Sequence, residues 1–141
     1  MTATFDRQPF VAAQDPVFNQ VRAELRAGRK TSHWMWFVFP QLRGLGSSAM
    51  AERYALAGLD QARAYLADPV LGPRLRACTD LVLAAPGPGI ADILGPPDDL
   101  KFRSSMTLFA LADPADDRFR RALARFFDGQ PDPRTLALLA A

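Results

Sequence analysis

The stretch from Pro96 to Pro114, PPDDLKFRSSMTLFALADP, decides the fold class. Asp98 or Asp99 stands where a helix cap is wanted. From there Leu100, Ser104, Leu108 and Leu111 recur along one side at helical spacing, and Phe102, Met106 and Phe109 along another. A surface helix ordinarily shows a single apolar stripe, so two apolar sides predict a central, largely buried helix reaching about Ala112. The rest of the chain must then pack around it.

Asp113-Pro114, which closes that stretch, is one of four Asp-Pro dipeptides; the others are Asp15-Pro16, Asp68-Pro69 and Asp132-Pro133. Aspartate accepts hydrogen bonds from the free amides of a first helical turn, and proline at the next position has no amide to waste and a preset φ. Each pair therefore predicts a helix start. The first such helix runs from about Val17 to Ala27, with Val17, Val21 and Leu25 on one face and Gly28 as the stop. Its opposite face, Arg22, Glu24 and Arg26, reads as solvated. His33-Trp34-Met35-Trp36-Phe37-Val38-Phe39 reads as a short buried helix, because no strand partner is nearby. Ser47 or Ser48 caps a helix to about Ala57, another spans Asp60 to Leu66, and a further one follows Asp68-Pro69 to about Ala84. Ala85 to Pro97 is a Pro/Gly-rich loop holding one turn, Ile90 to Leu94. Phe119, Leu123, Phe126 and Phe127 mark the core face of the next helix, and a terminal one ends at Leu139. The expected fold is all-α, a single domain built as an irregular bundle of about seven helices, with residues 1–9 as a flexible N-terminal arm.

At 141 residues the chain is long enough to build its own core. Its apolar share of 49% and charged share of 23% are those of a globule and exclude a disordered chain. The single cysteine, Cys78, lies among Leu75, Ala77, Leu81 and Val82 and reads as core filler. No leader or membrane-spanning run is visible, so the expected compartment is the cytoplasm, with no membrane partner. A net charge of +2, with basic residues interleaved among acids, argues against nucleic acid as a partner. No cofactor is expected, nor a metal site, since one histidine without neighbouring Cys, Asp or Glu lacks ligand spacing.

Two segments carry the residues that suggest chemistry. In the first, His33 is the only histidine and the best acid–base candidate. Trp34 and Trp36 lie two apart, so a helix points them to different faces: one packs in the core and the other can floor a pocket. Gln41 follows, and then Arg43-Gly44-Leu45-Gly46-Ser47-Ser48, whose glycines and hydroxyls before a helix suit either a capped turn or an anion. In the second, Lys101, Ser104 and Ser105 share one helical face near the positive end of the dipole, with Arg103 beside them. That set suits a phosphate or carboxylate, with Lys101 as the charge stabiliser if a reaction occurs.

Three segments, SHWMWFVFPQLRGLG (Ser32–Gly46), YLADPVLGPRLRAC (Tyr65–Cys78) and PPDDLKFRSSMTLF (Pro96–Phe109), carry a resemblance. The chain resembles the family of small bacterial proteins known as domain of unknown function 1810, from Phe10 to the terminal TLALL. The resemblance implies an all-helical single domain and transfers no activity. Some members bear the label calpastatin, a disordered repetitive inhibitor whose composition this chain does not share.

From the residues, His33, Trp36, Gln41, Lys101, Arg103, Ser104 and Ser105 are expected to converge on a pocket between helices for a small anionic, phosphorylated or nucleotide-like ligand. The alternative is a non-catalytic interaction or homodimer module, with Trp34, Trp36, Phe37 and Phe39 partly exposed and Arg43 at their rim.

Overall fold

The computed structural model describes residues 4–87 and 89–141. Among them the chain forms ten helices: α1 (Gln8–Gln14), α2 (Phe18–Arg26), α3 (Met35–Val38), α4 (Ala49–Arg53), α5 (Leu59–Ala67), α6 (Leu71–Ala84), α7 (Ile90–Leu94), α8 (Asp98–Ala112), α9 (Arg118–Phe127) and α10 (Pro133–Ala140). The fold is all-α, as expected. The count exceeds seven because no cap marks α1 in the sequence and because the turn expected at Ile90–Leu94 stands as a helix of its own, α7. Among the described residues, β pairing is confined to an isolated parallel bridge between Leu42 and Leu56. There Arg43 N donates to Leu56 O at 2.8 Å and Leu56 N to Gln41 O at 2.9 Å, closing residues 42–56 into a loop.

Helix α8 is the axis of the molecule, packed against α5, α7, α9 and α10. Phe102, Met106, Leu108 and Phe109 are fully buried on it. Edge-on and tilted ring contacts knit the core around them: Phe39 to Phe102 at 5.1 Å, Tyr65 to Phe109 at 5.6 Å and Phe109 to Phe119 at 5.8 Å. Leu100 and Leu111, expected on a buried side, are 61% and 40% exposed, because they point outward from the first and last turns of α8. Cys78 is buried as core filler, and burial pushes its thiol up to about 12, which leaves it inert.

One of the four Asp-Pro pairs acts fully as expected, and a second acts in part. Asp132 caps α10, accepting from Thr135 N at 3.1 Å with Pro133 at the first helical position. Asp68 ends α5 and accepts from Val70 N and Leu71 N, both at 2.9 Å, but α6 starts at Leu71 instead of at Pro69. The other two are corrections. Asp15 ends α1 instead of capping α2, and Asp113 ends α8, with α9 starting only at Arg118. In both places the proline sits in a turn between two helices.

Of the expected arm, residues 1–3 lie outside the described residues. The next ones pack instead of hanging free: Phe5 lies 5.7 Å from the Phe10 ring and 6.0 Å from Tyr65, and Arg7 pairs with Asp68. No helix among the described residues is long and apolar enough to cross a membrane.

Glu24 is the main correction on α2. Expected on a solvated face, it is only 4% exposed and serves as the hub of the segment between α2 and α3. It accepts from Thr31 N (2.7 Å), Ser32 N (3.0 Å), Trp34 Nε1 (3.0 Å) and Gln20 Nε2 (2.9 Å), and from the Ser32 hydroxyl. Burial opposes its charge, but the hydrogen bonds from Ser32, Thr31 and Gln20 outweigh burial and hold the carboxyl down at about 2. The hydrogen bond from Arg7 likewise holds Asp68 at about 2 against burial, with help from the Leu71 and Val70 amides. Both groups ionise more readily folded than unfolded, so protonation favours the unfolded chain. Their stabilisation is complete above the unfolded carboxyl values of about 4 and is lost as pH falls toward the folded ones. Urea unfolding between pH 7 and 2 should therefore show a flat stability down to about pH 4.5 and a steep fall below it. A flat profile to pH 2.5 would contradict both assignments.

Candidate functional site

The cleft forms where the first turns of α8 meet the loop after α3 and the start of α10. It encloses about 520 Å³ and is lined by Trp36 and Gln41, by Leu45 to Ser48, by Tyr54, by Lys101, Arg103 and Ser104, and by Asp132 and Arg134. That volume suits a small ligand. The bridge between Leu42 and Leu56 pins both ends of the loop. At Gly46 a Cβ would stand 2.7 Å from the Ala51 Cβ, so glycine lets the loop pass close over α4. Ser48 caps α4, its Oγ accepting from Ala51 N at 3.1 Å.

Charge is uneven in this cleft. Three cations, Lys101, Arg103 and Arg134, line it against one carboxylate, Asp132. Lys101 Nζ lies 3.4 Å from Asp98 Oδ1 and 5.0 Å from the Trp36 ring centroid. Asp98 is shared, because Lys30 Nζ holds its other oxygen at 2.8 Å while stacking over Trp34 at 5.0 Å. One carboxylate between two ammonium groups leaves positive charge in excess. Arg103 is tied to a carbonyl instead of an acid: its Nε donates to Gln130 O at 3.0 Å, and the guanidinium lies over Phe127 at 5.7 Å. Arg134 donates to Leu45 O at 3.5 Å. Neither arginine forms an ion pair among the described residues, so both retain donors for an anion.

The structure brings Trp36, Gln41, Lys101, Arg103 and Ser104 to one cleft and leaves His33 and Ser105 out. His33 is exposed and does not line the cleft. Its neighbours Ser32 and Trp34 are both fastened to Glu24, which leaves His33 on the solvent side. Ser105 is fully buried on the inner side of α8, and its Oγ has no hydrogen-bond partner among the described residues. The Ser104 hydroxyl reaches Asp132 Oδ2 at 3.0 Å, so it orients that carboxylate more than it offers a donor to a ligand. The two tryptophans divide as the spacing predicts: Trp34 is 1% exposed, and Trp36 forms a cleft wall. With Phe37 and Phe39 also buried, the segment presents no aromatic patch to a partner. Arg43 faces a different groove, beside α5 and α10.

Asp132, Arg134 and Tyr54 are cleft residues that the sequence did not single out. Asp132 was legible only as a cap, and Arg134 follows it on a helix whose docking against α8 is a tertiary fact. Among the described residues no group of three His, Cys, Asp or Glu side chains is placed to hold a metal ion.

Fold and cleft together define a small all-helical protein with a basic, aromatic-walled surface cleft. The chain belongs to the family described as "Protein of unknown function (DUF1810)", whose model matches residues 4–139. It is similar to a conserved hypothetical protein, Rv1873, of Mycobacterium tuberculosis, whose crystal structure is 58% identical in sequence, superposes with a TM-score of 0.95, and matches over 97% of this chain and 98% of that one. No curated protein matches the chain.

Proposed function

We propose that the cleft binds a small anionic ligand, phosphorylated or nucleotide-like, in the cytoplasm. The supporting observation is the convergence of Lys101, Arg103 and Arg134 with Trp36 from three distant parts of the chain around a single carboxylate. A phosphate would accept hydrogen bonds from two arginines that have no acid of their own, and the charge-assisted bonds so formed are about twice as strong as neutral ones. Trp36 and Tyr54 supply an aromatic surface for the remainder of the ligand. The proposal is one of binding: His33, the expected acid–base group, stands outside.

The test is thermal stabilisation by a panel of nucleotides, NAD, ADP-ribose, sugar phosphates and carboxylates. Only the folded state binds, so a ligand at a hundred times its Kd adds about 2.7 kcal/mol. For a chain of this length that raises the melting temperature by about 5–10 °C. The shift should vanish in Arg103→Ala, weaken in Lys101→Ala and persist in His33→Ala. No shift from any member of the panel, or a shift that Arg103→Ala keeps in full, would refute the proposal.

A further inference from the structure

Asp132 is out of place in a cleft built for an anion alone. Three cations line the same space, yet none comes within ion-pair distance of it. Its two oxygens are used unequally. Oδ2 accepts Thr135 N at 3.1 Å, Thr135 Oγ1 at 2.6 Å and Ser104 Oγ at 3.0 Å, whereas Oδ1 accepts no hydrogen bond among the described residues. The carboxylate is also held in place from behind: Thr107 Oγ1 accepts from Asp132 N at 2.8 Å while donating to Arg103 O at 2.8 Å. That link ties Asp132 to the backbone of the helix turn that carries Arg103. A helix cap needs only one oxygen. The second oxygen is a spare acceptor on a residue that lines the cleft, and a bare anion placed beside it would be repelled.

Resting on the anion-binding role, we propose that the ligand is a phosphate monoester whose carbon skeleton carries free hydroxyl groups, its phosphate on Arg103 and Arg134 and a hydroxyl donating to Asp132 Oδ1. Asp132 is then the specificity-determining residue. It rewards a donor and rejects a ligand that brings only charge, since a carboxylate desolvated without a donor is left unsatisfied. Free sugar phosphates and the ribose of a nucleotide share this chemistry.

Calorimetric titration tests it by pairing ligands that differ in the hydroxyls alone: ribose 5-phosphate against pentyl phosphate, and adenosine 5′-monophosphate against its 2′,3′-dideoxy analogue. One hydrogen bond to a charged acceptor predicts that at least one hydroxylated member binds about tenfold or more tightly than its partner. A preference seen in the first pair identifies a free sugar phosphate; one seen only in the second identifies a nucleotide. Asp132→Asn keeps the cap, because asparagine caps as well as aspartate, but it can turn an amide donor toward the cleft. This variant should melt within about 2 °C of the wild type. Its preference should shrink below about threefold, with pentyl phosphate bound as well or better. Equal wild-type affinities within both pairs, or an undiminished preference in Asp132→Asn, would overturn the role of Asp132 while leaving anion binding intact. If none of the four ligands binds the wild type, the phosphate-monoester proposal is overturned, and the wider panel decides anion binding on its own.

Discussion

Replacing Glu24 with glutamine should destabilise the chain by about 3–4 kcal/mol, a fall of about 10 °C in melting temperature. The reason lies in what the buried carboxylate does. Its two oxygens gather donors from Thr31 N, Ser32 N, Trp34 Nε1, Gln20 Nε2 and the Ser32 hydroxyl, and none of these groups has another acceptor among the described residues. A glutamine supplies one acceptor oxygen where there were two, and its amide would meet donors head on. Buried donors left unsatisfied cost about 1–3 kcal/mol each, more beside a lost charge. The damage should also reach the cleft. The segment that Glu24 fixes carries Lys30, whose ion pair with Asp98 steadies the first turn of α8, where Lys101 lies. Thermal unfolding of Glu24→Gln checks the first part. A loss below about 1 kcal/mol would mean that the hub is not a structural keystone.

Gly72→Ala is the second large effect, about 3 kcal/mol or more. Gly72 lies in the first turn of α6, where the chain has just turned back from α5. A Cβ built there would stand 2.1 Å from Leu66 O and 2.9 Å from Leu66 C, both backbone atoms of α5. Backbone cannot swing aside as a side-chain tip can, so α5 and α6 would have to separate. Arg76 Nη1 also donates to Leu66 O, at 3.2 Å, and that bond would be strained with them. Gly58 supplies the control. Its φ of 178° is extended backbone open to any residue, and a Cβ there meets nothing within 4 Å. Gly58→Ala should stay within about 0.5 kcal/mol of the wild type. Equal melting temperatures for the two variants would contradict the close approach of α5 to α6.

Much of the fold was legible because local chemistry and tertiary structure agree. Phe102, Met106 and Phe109 mark the inner side of α8 by spacing alone, and Asp132-Pro133 caps α10 by its own local chemistry. The agreement fails where a neighbour decides the outcome. Asp15-Pro16 and Asp113-Pro114 carry the same cap chemistry but fall at the end of one helix, and the turn to the next uses the proline. Glu24 sits between two arginines on α2 and looks solvated until the segment 29–34 folds over it. The same holds for the cleft. Trp36, Gln41, Lys101 and Arg103 stand out through an unusual mix of aromatic and polar residues. Asp132 and Arg134 join them only through the docking of α10 on α8, which no spacing announces. His33 stood out for its rarity, and rarity carries no direction.

The two tryptophans offer the most direct measurement. Trp34 is buried with its indole N–H on Glu24, whereas Trp36 lines the cleft, so the protein should give two indole N–H signals in a proton–nitrogen correlation spectrum, assigned with Trp36→Phe. Titration with ribose 5-phosphate and adenosine 5′-monophosphate should move the Trp36 signal saturably while the Trp34 signal stays in place, and Arg103→Ala should abolish the movement. If neither ligand moves the Trp36 signal at about 10 mM, well above ordinary metabolite affinities, the cleft is not a phosphate-binding site.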